Sequence, residues 1–216
     1  FRVPYYGLFF YYFTAIGFVM AGFFVVFEGV DGAGKGTMLR LCRESLVKKG
    51  FSVSRVFSTA EPTKGYYGKK LRELLKQEVR PEVNASQFLD LYVADRKEHL
   101  EKEILPALAE GKIVFCDRYK YSTFVYQRIQ GIPAEKIIMM HEGLAVPDLV
   151  FILDVPAESA LERISGRKSK EVFEKLAFME KVRAGFLRMP EYFSGEKIIV
   201  IDSTRPVSKV KSEIAH

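Results

Sequence analysis

From residue 22 onward the chain alternates short apolar runs with amphipathic stretches. The runs at 22–28, 112–116, 149–154 and 197–201 are almost wholly apolar, and 51–57 alternates apolar with polar positions, so five strands are predicted. Apolar residues at helical spacing predict helices over 34–49, 68–77, 85–110, 134–143, 157–165 and 171–188. Gly50 closes the first of these, and the 85–110 helix is expected to bend or restart near Pro106. Apolar strands separated by helices form a parallel sheet buried on both faces, which makes the chain an α/β protein. Ligands of such sheets bind beyond the carboxyl ends of the strands.

Two segments rich in chemistry follow strand ends. The first is "FEGVDGAGKGT", residues 27–37. Gly29, Gly32 and Gly34 allow backbone N–H groups to turn inward around phosphate oxygens, and the loop runs into a helix N-terminus, which favours anions. Lys35 is spaced to reach the β- and γ-phosphates of a nucleoside triphosphate. The residue after that lysine usually gives a hydroxyl to Mg²⁺, and Gly36 has none; Thr37 is the next hydroxyl. The second segment follows "KIVFC" with Asp117 and Arg118. A carboxylate there can hold Mg²⁺ through water, and a guanidinium can fork onto an acceptor phosphate.

Composition narrows the class. A 216-residue chain, 48% hydrophobic and 28% charged, is one globular domain with a full core. Its net charge of +6 suits an anionic ligand, but the basic residues are spread among acids with no basic block, so a small phosphorylated substrate accounts for the charge and no nucleic-acid partner is expected. Cys42 and Cys116 lie in apolar segments and read as buried small hydrophobes in a reducing compartment. His99, His141 and His216 are scattered, which gives no support to a histidine metal site or triad. Residues 4–27 carry no charge, yet 22–28 is needed as a strand, leaving a borderline span. A membrane anchor, an extra packed segment and an upstream extension with Met20 as a natural start are the three readings. The last two are favoured, with a cytoplasmic body. The expected division is an apolar extension over 1–19 and one domain carrying the motifs over 20–216.

With "LYVADR" (91–96), "VFCDRYKYSTFVYQ" (114–127), "EPT" (61–63) and "PDLVFILDVPAESALERISGR" (147–167), the phosphate loop resembles the thymidylate kinase family over about residues 22–205. The resemblance implies a P-loop three-layer α/β/α fold with a five-stranded parallel sheet and a lid, about 163–173. It implies transfer of the ATP γ-phosphate to dTMP with Mg²⁺, and a homodimer. It implies that Gly29, Asp31, Gly32, Ala33, Gly34, Lys35, Gly36, Thr37, Arg163 and Arg205 bind ATP. The acceptor side would use Asp31, Glu61, Pro62, Tyr92, Arg96, Arg118, Ser122, Thr123, Tyr126 and Gln127. Asp117, Thr37 and Asp31 would serve the metal, and Lys35, Asp117, Arg118 and Arg167 catalysis. The "GKGT" form matches nucleoside monophosphate kinases, where the metal is held largely through water.

Tyr92 and Arg96 are four apart on a predicted helix, so one ring can stack on a base while the guanidinium meets thymine O4. Tyr126 matches the family tyrosine that occupies the space of a ribose 2′-hydroxyl. Ser122 or Thr123 is expected to bond the base. Two departures stand out: Ala60 replaces the arginine many members have before Glu-Pro, with Lys64 or Arg72 as substitutes, and Gly32 stands where some members carry a loop arginine. The lid would supply that charge from Arg163, Arg167 or Lys168, with Arg167 first. The alternatives are another nucleoside monophosphate or deoxynucleoside kinase, and a nucleotide-binding protein without transfer activity.

Overall fold

A computed structural model describes residues 22–77, 84–164 and 170–214. Its strands are β1 (Phe23–Glu28), β2 (Val56–Ala60), β3 (Ile113–Asp117), β4 (Leu149–Asp154) and β5 (Ile198–Asp202). All pair in parallel, in the order β2-β3-β1-β4-β5. The helices are α1 (Lys35–Lys48), α2 (Tyr66–Gln77), α3 (Ala85–His99), α4 (Leu105–Ala109), α5 (Lys120–Ile129), α6 (Ala134–Met140), α7 (Ala157–Ile164), α8 (Lys170–Leu187), α9 (Met189–Tyr192) and α10 (Val207–Ile214). Parallel neighbours cannot be joined by a tight turn, so each crossover carries helix back along the sheet. α1 packs with α10 and against β1 and β3; α5 packs with α3, α6 and α8, and α8 also meets β4. The five-stranded parallel sheet flanked by helices is the expected α/β architecture.

β1 is central because its side chains suit nothing else. Phe24, Val25, Val26 and Phe27 are at most 1% exposed, and Phe27 packs its ring between Phe115 and Phe151, with centroids 5.9 and 5.5 Å away. The chain leaves β1 towards β2 and β3, then crosses to β4 and β5, so the strand order reverses at β1. A crevice opens at such a reversal, beyond the carboxyl ends. Register brings three ends level there: Phe27 and Ala60 both pair with Asp117.

Three expectations need correction. Strand two begins later than residue 51: Val53–Arg55 is a 3₁₀ turn, Val53 is exposed, and pairing starts with Val56 beside Ile113, the first residue of β3. The apolar-polar alternation at 51–54 therefore has no partner strand to lie against. The 85–110 helix does restart near Pro106, at Leu105, but it is already broken from Leu100 by a π-turn at Leu100–Ile104. Pro106 has no N–H to bond the carbonyl of residue 102, and the wider turn absorbs the lost rung. Helix α5 was not foreseen; its polar residues Lys120, Ser122, Thr123 and Gln127 are buried with Tyr121, Phe124 and Val125, so polarity does not mark a solvent face.

Phe27→Ala should remove a full aromatic contact set from the sheet centre and lower unfolding free energy by about 3–5 kcal/mol. Val53→Ala, on the exposed turn, should change it by less than about 0.5 kcal/mol. Urea denaturation of both variants checks the contrast.

Candidate active site

Between β1 and α1 the chain turns through Gly29, Gly32 and Gly34 at φ of 138°, 83° and 96°. Gly32 is required twice over, since a Cβ there would lie 2.3 Å from the Ala160 carbonyl oxygen. The turn folds the loop over Lys35, whose Nζ donates to the carbonyl oxygens of Gly29 and Val30 at 3.0 Å each. Burial, with the Arg118 charge beside it, lowers the Lys35 ammonium to about 8. A phosphate arriving at the loop would restore the missing counter-charge.

A cavity of about 580 Å³ opens over this loop, walled by Gly32 to Met38, Asp117, Arg163 and the turn after β5. Arg163 bridges loop and turn, donating to Gly32 O and Ser203 O at 3.2 Å each, while Ser203 Oγ donates to Ala33 O at 2.9 Å. Arg205 is held on the rim by Glu213 and the Asp202 carbonyl.

Asp117 and Arg118, adjacent in sequence, face different cavities. Asp117 lines the larger one; Arg118 lines a second of about 250 Å³. The change of direction comes from Arg118, whose φ is 72°. For a side chain as large as arginine this left-handed conformation costs roughly 1–3 kcal/mol. The bond from Arg118 N to Phe27 O, 3.0 Å, helps to hold it. Its guanidinium donates to Ser122 Oγ at 2.8 Å and to Asp31 Oδ1, and lies 5.7 Å from the Tyr126 ring centroid.

The second cavity ends on a buried charged network. Arg96, 1% exposed, donates from Nε and Nη2 to Glu61 Oε2 at 2.9 and 2.5 Å, from Nη2 to Thr123 Oγ1 at 3.1 Å, and from Nη1 to His141 Nε2 at 2.5 Å. The Nδ1 of His141 is 2.7 Å from Ile137 O, so Nδ1 carries the proton and Nε2 accepts. His99 lies behind Glu61, its Nδ1 3.1 Å from Oε1. Burial first, then the Arg96 charge, pushes His141 down to about 3. Tyr92 lines the same cavity, and burial pushes its phenol up to about 12.

A loop gripping a lysine thus lies beside two cavities, with Asp117 lining one and Arg118 the other. Residues 27–214 match the family model described as Thymidylate kinase. The chain belongs to the thymidylate kinase family. It is 41% identical to the thymidylate kinase of Desulfotalea psychrophila over 76% of this chain and 80% of that protein. It is 36% identical to a probable thymidylate kinase of Pyrococcus abyssi, covering 90% of this chain and 95% of the other. A crystal structure of the Ehrlichia chaffeensis thymidylate kinase superposes with a TM-score of 0.71 at 28% identity, over 90% of this chain and 97% of that one.

The expected site residues of this thymidylate kinase family member sort cleanly. Gly32, Ala33, Gly34, Lys35, Gly36, Thr37, Asp117, Arg163 and Arg205 line the larger cavity. Asp31, Glu61, Pro62, Tyr92, Arg96, Arg118, Ser122, Thr123, Tyr126 and Gln127 line the smaller. Gly29 lines neither and acts through its carbonyl on Lys35. Asp31, expected at both substrate and metal, is an ion-pair partner of Arg118 on the smaller cavity. Ser122 has its hydroxyl committed to Glu28 and Arg118, whereas the Thr123 hydroxyl meets Arg96. Arg72 donates to the Pro62 and Thr63 carbonyls and so braces the Glu-Pro-Thr arm. Arg167 and Lys168 of the expected lid, and the extension at 1–19, lie outside the described residues.

Mg²⁺ finds a fitting place. Asp117 Oδ1 is buried without a hydrogen-bond partner among the described residues, and a Cβ on Gly36 would sit 3.8 Å from Oδ2, in ordinary contact. The carboxylate thus faces the space a serine or threonine would share. No cluster of three His, Cys, Asp or Glu able to hold a metal occurs among the described residues.

Sequence reasoning missed Glu28, His99 and His141. Glu28 had a signal, a carboxylate closing an otherwise apolar strand; the histidines had none, because their partners are 38 and 45 residues away.

His141 stays neutral in the fold but takes a proton when unfolded near pH 6.5, so between that pH and about 3 the unfolded state binds more protons. Its contribution to stability is complete above the higher value and is lost as pH falls. His141→Gln keeps an acceptor for Arg96 and does not titrate. Urea unfolding at pH 7.5 and 5 should show wild type losing about 1–2 kcal/mol more than the variant.

Proposed function

We propose that ATP occupies the larger cavity and dTMP the smaller, with Arg118 holding the acceptor phosphate at the junction. Family membership gives the reaction, transfer of the ATP γ-phosphate to dTMP to yield dTDP. The observation that carries the assignment of sites is the placement of Lys35, Asp117 and Arg118 at the level carboxyl ends of β1 and β3, between the two cavities.

The acceptor needs no general base. A monophosphate has a second pKa of about 6, so its oxygen is largely ionised at neutral pH. What the protein supplies is alignment and charge. Lys35 exchanges the Gly29 and Val30 carbonyls for phosphate oxygens. Arg118 presents its fork to the dTMP phosphate from a turn locked on both sides. Tyr126, under Arg118, crowds the 2′ position of the sugar. Arg96 is fixed by Glu61, Thr123 and His141, which account for four of its five N–H donors. The remaining Nη1–H meets O4 of thymine, where cytosine would present an amino group. Gln127 Oε1, buried and without a partner among the described residues, is an acceptor in the same cavity. Asp117, with Thr37 across the cavity, would hold Mg²⁺, which neutralises charge on the β- and γ-phosphates when bound.

The same reading includes a homodimer and a cytoplasmic site of action, both resting on family membership. Among the described residues no helix is long and apolar enough to cross a membrane.

A coupled assay across deoxynucleoside and nucleoside monophosphates tests the proposal: dTMP should be the preferred acceptor, and preferential turnover of cytidylate would overturn it. Arg118→Ala should lower kcat/KM for dTMP by about 1.5–3 kcal/mol, roughly tenfold to a hundredfold, with ATP affinity little changed. Arg96→Ala leaves Glu61 buried without its cation and should destabilise the fold by about 3–5 kcal/mol. Its diagnostic is therefore the ratio of dTMP to dCMP turnover, which should fall by about 1–3 kcal/mol. Equal losses on both nucleotides would show that Arg96 does not read the base.

A further inference from the structure

The carboxylate of Glu28 is fully buried at the end of β1, one residue before the phosphate loop. It lines neither cavity. Burial raises its pKa, against the lowering charge of Arg118. A buried carboxylate needs donors on both oxygens, and the partners are specific. Oε1 accepts from the backbone N–H of Tyr119 at 2.8 Å and of Ser122 at 3.1 Å; Oε2 accepts from Ser122 Oγ at 2.5 Å. Ser122 Oγ, having given its only hydrogen to Glu28, presents lone pairs to Arg118 Nη1, 2.8 Å away.

Glu28 thus fixes the residue that follows Arg118 and the hydroxyl that orients its guanidinium. The other terminal nitrogen, Nη2, is taken by Asp31. Both anchors belong to the segment that forms the donor-phosphate loop, three residues apart. We propose that Glu28 is a positioning residue that sets the acceptor-phosphate arginine relative to the donor loop, through Ser122. The inference rests on Arg118 holding the dTMP phosphate. In-line transfer needs donor and acceptor phosphates at a fixed separation. The strand that carries the loop imposes it, by gripping the arginine through a relay whose hydrogens can point only one way. Replacing the carboxylate by an amide turns one acceptor into a donor and reverses the Ser122 hydroxyl, which frees Nη1.

The test separates phosphate placement from general damage by comparing two ligands. Full-length wild type, Glu28→Gln, Ser122→Ala and Arg118→Ala are titrated with dTMP and with thymidine, which lacks the phosphate, and KM is measured for dTMP and ATP. Glu28→Gln should weaken dTMP binding at least tenfold, leave thymidine within twofold, and raise the KM of dTMP but not of ATP. Ser122→Ala keeps both backbone donors to Glu28 and should show the same split at smaller size. Equal weakening of dTMP and thymidine by Glu28→Gln, or of neither, overturns the proposal. If Glu28→Gln does not fold, Ser122→Ala decides by the same criterion. Arg118→Ala guards the underlying reading: a dTMP-to-thymidine ratio unchanged there overturns both, whereas a ratio lost there but kept in Glu28→Gln overturns the Glu28 role alone.

Discussion

The bond from Arg118 N to Phe27 O is where the rest of the structure is decided. It closes the β1–β3 ladder where Phe27 pairs with Asp117, and Arg118, at φ 72°, then turns the chain towards α5. In an extended strand successive side chains point to opposite faces. Asp117 ends that alternation on the larger cavity, and the left-handed turn at Arg118 carries the next side chain to the smaller. The two charged groups thus part at a single backbone turn.

The acceptor side uses buried charge in a way that adds little to stability. Taking Arg96 and Glu61 out of water costs several kcal/mol per ion, and their attraction roughly offsets this only when geometry and extra hydrogen bonds are good. Here the extra bonds come from Thr123, His141 and His99. What the network supplies is a guanidinium held in one orientation. His141 contributes because burial keeps it neutral, so it accepts from Arg96 where a charged ring would repel it.

The departures from the family pattern are absorbed locally. Gly36 removes a hydroxyl without crowding Asp117, whose Oδ2 would lie 3.8 Å from a Cβ at that position. Ala60 removes an arginine, and Arg72 has not moved into the phosphate path to replace it; it braces the arm at Pro62 and Thr63. On the proposed reading, charge at the acceptor phosphate is concentrated on Arg118, and its anchoring matters correspondingly more.

By itself the sequence determined what depends on neighbours along the chain. Apolar runs specify strands buried on both faces, glycines at 29, 32 and 34 specify a loop that only left-handed residues can follow, and Lys35 at the head of α1 specifies a phosphate. Those signals are short-range, and with the family's motifs they made the sheet, the loop and the residues of both cavities legible. Tertiary structure alone decided what depends on residues far apart meeting. The first rung of β2 waited on where β3 begins, which is why alternation at 51–54 misled. α5 buries Lys120, Ser122, Thr123 and Gln127 along with its apolar residues, because only the fold encloses it. Glu28, His99 and His141 acquire roles only when strand ends and helix faces 38 to 94 residues apart are brought within hydrogen-bond distance. A buried polar group's task is set by the partner that satisfies it, and that partner is chosen by the fold.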